Sequence, residues 1–133
     1  MTGQKNGSFD SRYTKRVKGF SGNGLQVDGD SPVKLTEAGP YQRHLPFSLS
    51  VRVNLPKTFQ RAFVLGRSRG EQDAGSRGYE LLMDKGRLSF ALVHFAPGDE
   101  IRIRSLQPVP VNRWLQITMT YDGSSEAGGL RLY

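Results

Sequence analysis

Gly78-Tyr-Glu-Leu-Leu-Met-Asp-Lys-Gly-Arg-Leu-Ser-Phe-Ala-Leu-Val-His-Phe95 is the stretch whose reading decides the fold. Its apolar residues recur at every second position: Tyr79, Leu81 and Met83, then Leu88, Phe90 and Leu92, with Asp84-Lys85-Gly86 between the two runs. Period-two alternation around an Asp/Gly turn predicts a β-hairpin and excludes an amphipathic helix here. Glu80, Leu82, Ser89, Ala91 and Val93 take the opposite face, so the second strand is apolar on both sides from Phe90 to Val93. A strand covered on both faces belongs inside a layered structure, which calls for a second sheet.

Outward from the hairpin the same alternation returns. Phe47, Leu49, Val51, Val53 and Leu55 alternate with Ser48, Ser50, Arg52 and Asn54, giving one buried and one wet face until Pro56 stops the strand. Residues 61–66 form a short apolar strand, and Ile101 and Ile103 alternate with Arg102 and Arg104. In Trp114–Asp122, Leu115, Ile117, Met119 and Tyr121 point inward while Gln116, Thr118 and Thr120 point outward. Shorter strands are expected around Leu25 and Val27, around Val33 and Leu35, and at Leu130–Tyr133. Gly39-Pro40 and Pro46 mark 38–46 as loop, 67–78 is the longest polar insertion, and 122–129 is a polar loop. About nine short strands between Gly, Pro and Asp loops, with no convincing helix, is the pattern of an all-β sandwich or barrel.

Composition agrees. The 133 residues suit one domain, 36% are hydrophobic, and 16 glycines and seven prolines favour turns over helices. With no cysteine, disulfides, thiolate chemistry, Cys-based metal sites and covalent haem attachment are excluded. No run approaches the ~20 apolar residues of a membrane span, and the first residues lack the apolar block of a signal peptide. The net charge of +7 is lopsided: residues 1–69 carry twelve Lys/Arg against four Asp/Glu, and residues 70–133 carry seven against eight. Because the basic residues are scattered singly, and neither interleaved exposed aromatics nor a reading helix is visible, no nucleic-acid partner is expected. Residues 1–18 are polar, basic and aperiodic, and are read as a flexible arm or linker whose Arg12, Lys15, Arg16 and Lys18 solvate it or touch an anionic partner.

The blocks Pro46-Phe-Ser-Leu-Ser-Val, Leu65-Gly-Arg-Ser-Arg, Ser76–Leu92, His94-Phe-Ala-Pro-Gly, Ile101-Arg-Ile-Arg, Arg113–Ser125 and Gly129-Leu-Arg-Leu-Tyr resemble the laminin-G-like members of the concanavalin A-like lectin/glucanase superfamily. More narrowly they resemble the version inserted in planctomycete-type surface proteins that carry cytochrome-c-like domains. The resemblance covers 19–133. It implies a two-sheet antiparallel jelly-roll sandwich used for binding or as a spacer, placed outside the cytoplasm or at the cell surface within a larger protein, with no catalytic residues shared across the branch. Family members continue through further strands after Leu-Arg-Leu-Tyr, so the resemblance implies a sandwich incomplete at its C-terminal side, with an open sheet edge for a second copy or a neighbouring domain. Arg52 stands where relatives tend to hold an aromatic, Ala96 where they tend to hold tryptophan, and Leu115-Gln116 where they often hold histidines.

Function is expected at the loop rim, since loops on a rigid sheet carry binding residues. Arg67, Arg69 and Arg77 around the 66–78 loop suit a sulfate, carboxylate or phosphate, or else anchor the loop to Glu71, Asp73 or Glu80. Asp73 and His94 complete the candidate ligand-binding set. His94 continues the parity of Leu88, Phe90 and Leu92 and is read as a hydrogen-bonded structural histidine; with His44 it makes no zinc-ligand spacing. Calcium, which takes six to eight oxygens, is a candidate cofactor at the turn aspartates Asp28, Asp30, Asp73, Asp99 and Asp122, which otherwise cap their own backbone. Glycoside hydrolysis needs two carboxylates across a cleft, and no Glu-x-Asp-x-x-Glu-like row is present. The reading is therefore a non-catalytic module contacting glycan or protein, the alternatives being a scaffold that packs on neighbouring domains and, least, a glycoside hydrolase.

Overall fold

In the computed structural model of the chain, the described residues are 7–35, 39, 41–68 and 77–133. They form eleven strands and one 3₁₀ turn: β1 (Gly7–Ser8), β2 (Lys15–Lys18), β3 (Asn23–Gln26), β4 (Lys34–Leu35), β5 (Phe47–Asn54), β6 (Arg61–Ser68), β7 (Gly78–Asp84), β8 (Arg87–Phe95), β9 (Asp99–Arg104), β10 (Trp114–Tyr121), the turn at Ala127–Gly129, and β11 (Leu130–Leu132). The protein is all-β, and every described strand pairing is antiparallel. Two compact units appear, Met1–Gly39 and Pro40–Tyr133.

In the first unit β1 pairs with β4 and β2 with β3. The stretch read as an arm thus contains a paired strand at Lys15–Lys18, which the basic side chains concealed because no apolar alternation accompanies it. The carbonyl of Asp10 accepts from the backbone N–H groups of Tyr13 and Thr14. The Asp10 carboxylate holds Arg12 at 2.6 Å. Most of this unit's side chains are exposed, with Thr14 the buried exception.

The second unit holds a four-stranded sheet, β6-β7-β8-β9, and a three-stranded sheet, β11-β10-β5. The central hairpin follows the expected register, Leu81 opposite Phe90 and Met83 opposite Leu88. Its turn residues Lys85 and Gly86 have φ of 49° and 73°. Positive φ at both central positions is the type I′ arrangement, whose twist matches that of the flanking strands. The turn is held from outside by Lys85 N–H to the Gln60 carbonyl and Gly86 N–H to the Phe59 carbonyl.

One core cluster draws on both sheets: Leu81, Met83, Leu88 and Phe90 from β7 and β8, and Ile117, Met119, Tyr121 and Leu130 from β10 and β11. Phe47, Leu49, Val51 and Val53 of β5 and Ile101 and Ile103 of β9 pack against it. The pairing of β5 with β10 puts Val51 opposite Ile117 and Ser50 opposite Thr118, so alternation sends aliphatic side chains inward and hydroxyls outward, where Ser50 Oγ meets Thr118 Oγ1 at 3.1 Å. Trp114, at 36% exposure, shares the outward parity. On the four-stranded sheet the non-core face is also buried at Leu82, Ser89, Ala91 and Val93. There the Arg102 guanidinium is hydrogen-bonded to Glu80 at 2.7 Å, Glu100 at 2.8 Å and Ser89 Oγ at 3.0 Å. Glu80, one of the three carboxylates considered as an anchor for the loop arginines, is thus held by a strand arginine.

Candidate functional site

Strand parity builds the site. In the four-stranded sheet Arg67, Tyr79, Leu92 and Ile101 fall in one cross-strand row, and Tyr79 belongs to the core cluster. Residues two positions further along a strand point the same way, so Arg77 continues the Tyr79 face at the end of the sheet. His94 follows Leu92, and Asp99 precedes Ile101; a register shift between Val93 and Phe95 leaves His94 at an irregularity of the β8–β9 pairing. At the corresponding end of the three-stranded sheet, Phe47 pairs with Tyr121. These ends, with the segment before β5, line an open groove of about 1150 Å³.

One wall of the groove is aromatic. Tyr41 stacks on Phe47 with centroids 4.3 Å apart and planes 7° from parallel. Phe47 lies 5.8 Å from Tyr79 and 5.6 Å from Tyr121 in tilted contacts. Tyr79 is 7% exposed whereas Tyr41 is 38% exposed, so the stack has a buried base and an accessible top. Burial, with a smaller contribution from Tyr41, pushes the Tyr79 hydroxyl pKa up, and Arg67 opposes that rise.

The same groove is lined by a polar relay. Arg77 Nη2 lies 3.0 Å from His94 Nε2, and His94 Nδ1 lies 2.7 Å from Asp99 Oδ2. A guanidinium only donates and a carboxylate only accepts, so these partners select the neutral tautomer with the proton on Nδ1. The loops are tied by Tyr121, whose hydroxyl donates to the Arg43 carbonyl at 2.6 Å and accepts from the Ser125 N–H at 2.6 Å. Arg43 Nε also donates to Ser125 Oγ at 2.9 Å.

Of the five residues proposed from sequence, Arg67, Arg77 and His94 line this one groove. Arg69 and Asp73 lie outside the described residues. Reasoning from sequence missed Tyr41, Tyr79, Tyr121 and Asp99 as groove residues. The inward parity of Tyr79 and Tyr121 was visible, but the missing signal was that their rows end at an open mouth instead of under a loop.

Two of the turn aspartates hold their own backbone. Asp28 Oδ1 accepts from the N–H groups of Asp30 and Ser31, and Asp122 Oδ1 accepts from the Ser124 N–H. Among the described residues no three His, Cys, Asp or Glu side chains come together as a metal-ligand group, and no helix is long and apolar enough to cross a membrane. No protein-family model matches the chain, and neither the curated proteins nor the solved structures contain a match to it.

Proposed function

We propose that the second unit is a non-catalytic binding module, a jelly-roll sandwich of laminin-G-like type, that holds a glycan in the groove at the mouth of its two sheets. The observation that carries this reading is the Tyr41–Phe47 stack beside the Arg77–His94–Asp99 rim. An accessible flat ring next to directional donors is the equipment of a sugar site, where the C–H face of a pyranose lies on the aromatic and its hydroxyls reach polar neighbours.

Two further features support a binding role over catalysis. His94 has both ring nitrogens engaged, Nε2 facing a guanidinium, so neither serves a nucleophile as general base. Among the described residues, Glu80 and Glu100 share Arg102. The hydrogen bond from Arg102 holds the Glu100 carboxyl below the usual range, opposite to what a general acid requires.

The test is a glycan array, with heparin included, read at low and moderate salt for the wild type and Tyr41→Ala. Binding that Tyr41→Ala weakens several-fold is expected, since aromatic contacts are worth about 0.5–1.5 kcal/mol beyond burial. Failure of every glycan class to bind would overturn the glycan reading.

A further inference from the structure

We infer that the side of the second unit edged by β5 and β6 is a slot for one extended strand of a partner polypeptide. That strand pairs with β5 through its backbone, lies beneath β6, and inserts apolar side chains at every second residue. This surface is separate from the groove, and the inference stands whatever the groove binds.

The two sheets do not match strand for strand. At one side β11 lies against β9, and Phe47 of β5 meets Tyr79 of β7 with ring centroids 5.8 Å apart. Given the strand orders β11-β10-β5 and β6-β7-β8-β9, β5 faces β7, and among the described residues β6 faces no strand of the other sheet. Burial shows the consequence. Ile117 and Met119 of β10 are 2% and 0% exposed, whereas their partners Val51 and Leu49, one strand nearer the slot, are only half-buried, as is Val53. Ala62 and Leu65 of β6, in the inward rows of Met83 and Leu81, are half-buried too. Tyr41 stacks on Phe47 at one end, so the uncovered stretch runs from Leu49 to Val53.

Backbone groups identify the occupant. Thr118 exchanges two backbone hydrogen bonds with Tyr133, at 3.0 and 2.9 Å, so its N–H and C=O point toward the β11 side. Successive residues of an antiparallel strand bond to opposite sides, which turns Ile117 and Met119 toward β5 and makes Val51 and Leu49 their bonded partners. Ser48, Ser50 and Asn54 therefore aim N–H and C=O out of the sheet, and among the described residues no group receives them. Such a row of donors and acceptors is matched by the backbone of another strand.

β5 also lacks the devices that blunt an edge. Its eight residues hold no proline or lysine and pair with β10 without a shift. Its one charged side chain, Arg52, reaches back over the sheet to Gln116 Oε1 at 3.1 Å. β6, the other edge of the slot, is broken by a register shift between Phe63 and Leu65. Pairing is thus open at β5 and obstructed at β6.

The overhang of β6 excludes a second copy joined through β5. Antiparallel pairing of two β5 strands relates the copies by a two-fold axis perpendicular to the sheet, which sets both four-stranded sheets on the same side and drives each β6 into the other copy's β7. Parallel pairing through the same edge would turn the second copy's apolar row to the opposite face. A single extended segment carries no second layer and fits. Its inward residues meet Leu49, Val51 and Val53 beside them and Ala62 and Leu65 above, so they are apolar. Its outward residues adjoin the hydroxyls of Ser48 and Ser50, so they are small and polar.

The test is amide hydrogen exchange of the full chain, read residue by residue by NMR. The probes are capped peptides of about nine residues in which threonine alternates with alanine, valine, leucine or phenylalanine, each with a scrambled control. In the free chain, exchange should be fast at Ser48, Ser50 and Asn54 and slow at Leu49, Val51 and Val53. With a binding peptide at about ten times its Kd, the three fast amides should slow about tenfold, and scrambled peptides should leave them unchanged. N-methylation of that peptide on alternate residues should abolish binding for one parity and spare it for the other, since only one set of its N–H groups faces β5. Ser50→Pro removes an outward N–H that takes no part in the pairing with β10 and should weaken binding about tenfold; the methylated peptides make the same test with the protein unaltered. The inference is overturned by binding of no peptide, by equal binding of the scrambled controls, by tolerance of N-methylation on both parities, or by protection of Ser48, Ser50 and Asn54 in the free monomer. A dimer in light scattering that protects those amides without peptide also overturns it, in favour of a second copy.

Discussion

Tyr121→Phe isolates one atom that organises the groove. The ring is 2% exposed and packs in the core, and phenylalanine preserves that packing, so the substitution creates no cavity. Lost are the hydrogen bond to the Arg43 carbonyl and the one from the Ser125 N–H, both 2.6 Å. A hydrogen bond contributes about 0.5–1.5 kcal/mol net, and a group left dry costs about 1–3 kcal/mol. Arg43 is exposed and Ser125 half-buried, which lets water replace part of what is lost, so the sum is about 1–3 kcal/mol. The Ser125 bond also matters to the backbone, since Ser125 sits at φ 63°, a left-handed conformation that a non-glycine residue holds only when its surroundings fix it. Urea unfolding followed by fluorescence and circular dichroism should show a lower midpoint at unchanged slope. Tyr121→Ala, which also removes the ring, should cost about 3–5 kcal/mol. A Tyr121→Phe loss below about 0.5 kcal/mol would show that the hydroxyl does not tie the two loops together.

Other outcomes follow from single contacts. A Cβ at Gly66 would meet the Tyr79 carbonyl, Phe63 Cζ at 2.9 Å and Glu80 Cα at 3.0 Å, so Gly66→Ala should destabilise by about 1–3 kcal/mol in denaturant melts. Lys85 holds φ 49° in the hairpin turn, where asparagine is better suited, and Lys85→Asn should raise stability by up to about 1 kcal/mol. Glu100 is depressed below the ordinary glutamate value of 4.5 by its hydrogen bond from Arg102. A depressed carboxyl contributes its full stabilisation above that value and loses it as pH falls toward the folded value. Glu100→Gln should therefore be less stable than the wild type at neutral pH, and the gap should close in melts run below pH 4.5.

Alternation made the faces legible because period two is a local property. Val51 and Ile117 must point one way if Ser50 and Thr118 point the other, whatever lies opposite. Partnership is not local: β5 joins β10 across more than fifty intervening residues, and nothing in either strand names the other. Charged strands were legible only in part. Ile101 and Ile103 showed β9 as a strand, yet Arg102 looked like a solvated residue because its two carboxylates come from different positions, Glu80 two strands across the sheet and Glu100 two places back along its own strand. The paired strand at Lys15–Lys18 holds Val17 as its one apolar residue, too little for an alternation, and the division after Gly39 had no mark beyond Gly39-Pro40, which reads equally as an ordinary loop. The turn at Asp84-Lys85-Gly86 was legible because Gly86 supplies one of its two positive-φ positions locally.

The candidate site follows from the parity that builds the core. An inward-facing row is buried while the other sheet lies over it, and becomes a wall where that cover ends. Tyr79 marks this transition: its row partners Leu92 and Ile101 pack on the core cluster, while Arg67, in the same row, is exposed. One step beyond, at Arg77, His94 and Asp99, apolar side chains would face water, and the sequence changes to charged and imidazole groups at that step. In the same groove Tyr41 lies across Phe47, so the aromatic core is continued outward by a ring that is itself part-exposed. The inward rows thus carry packing at their centre and, on the proposed binding reading, recognition at their ends. A substitution at Arg77 should change what binds while leaving the melt unchanged, whereas one at Phe90, buried midway along the same face, should do the reverse.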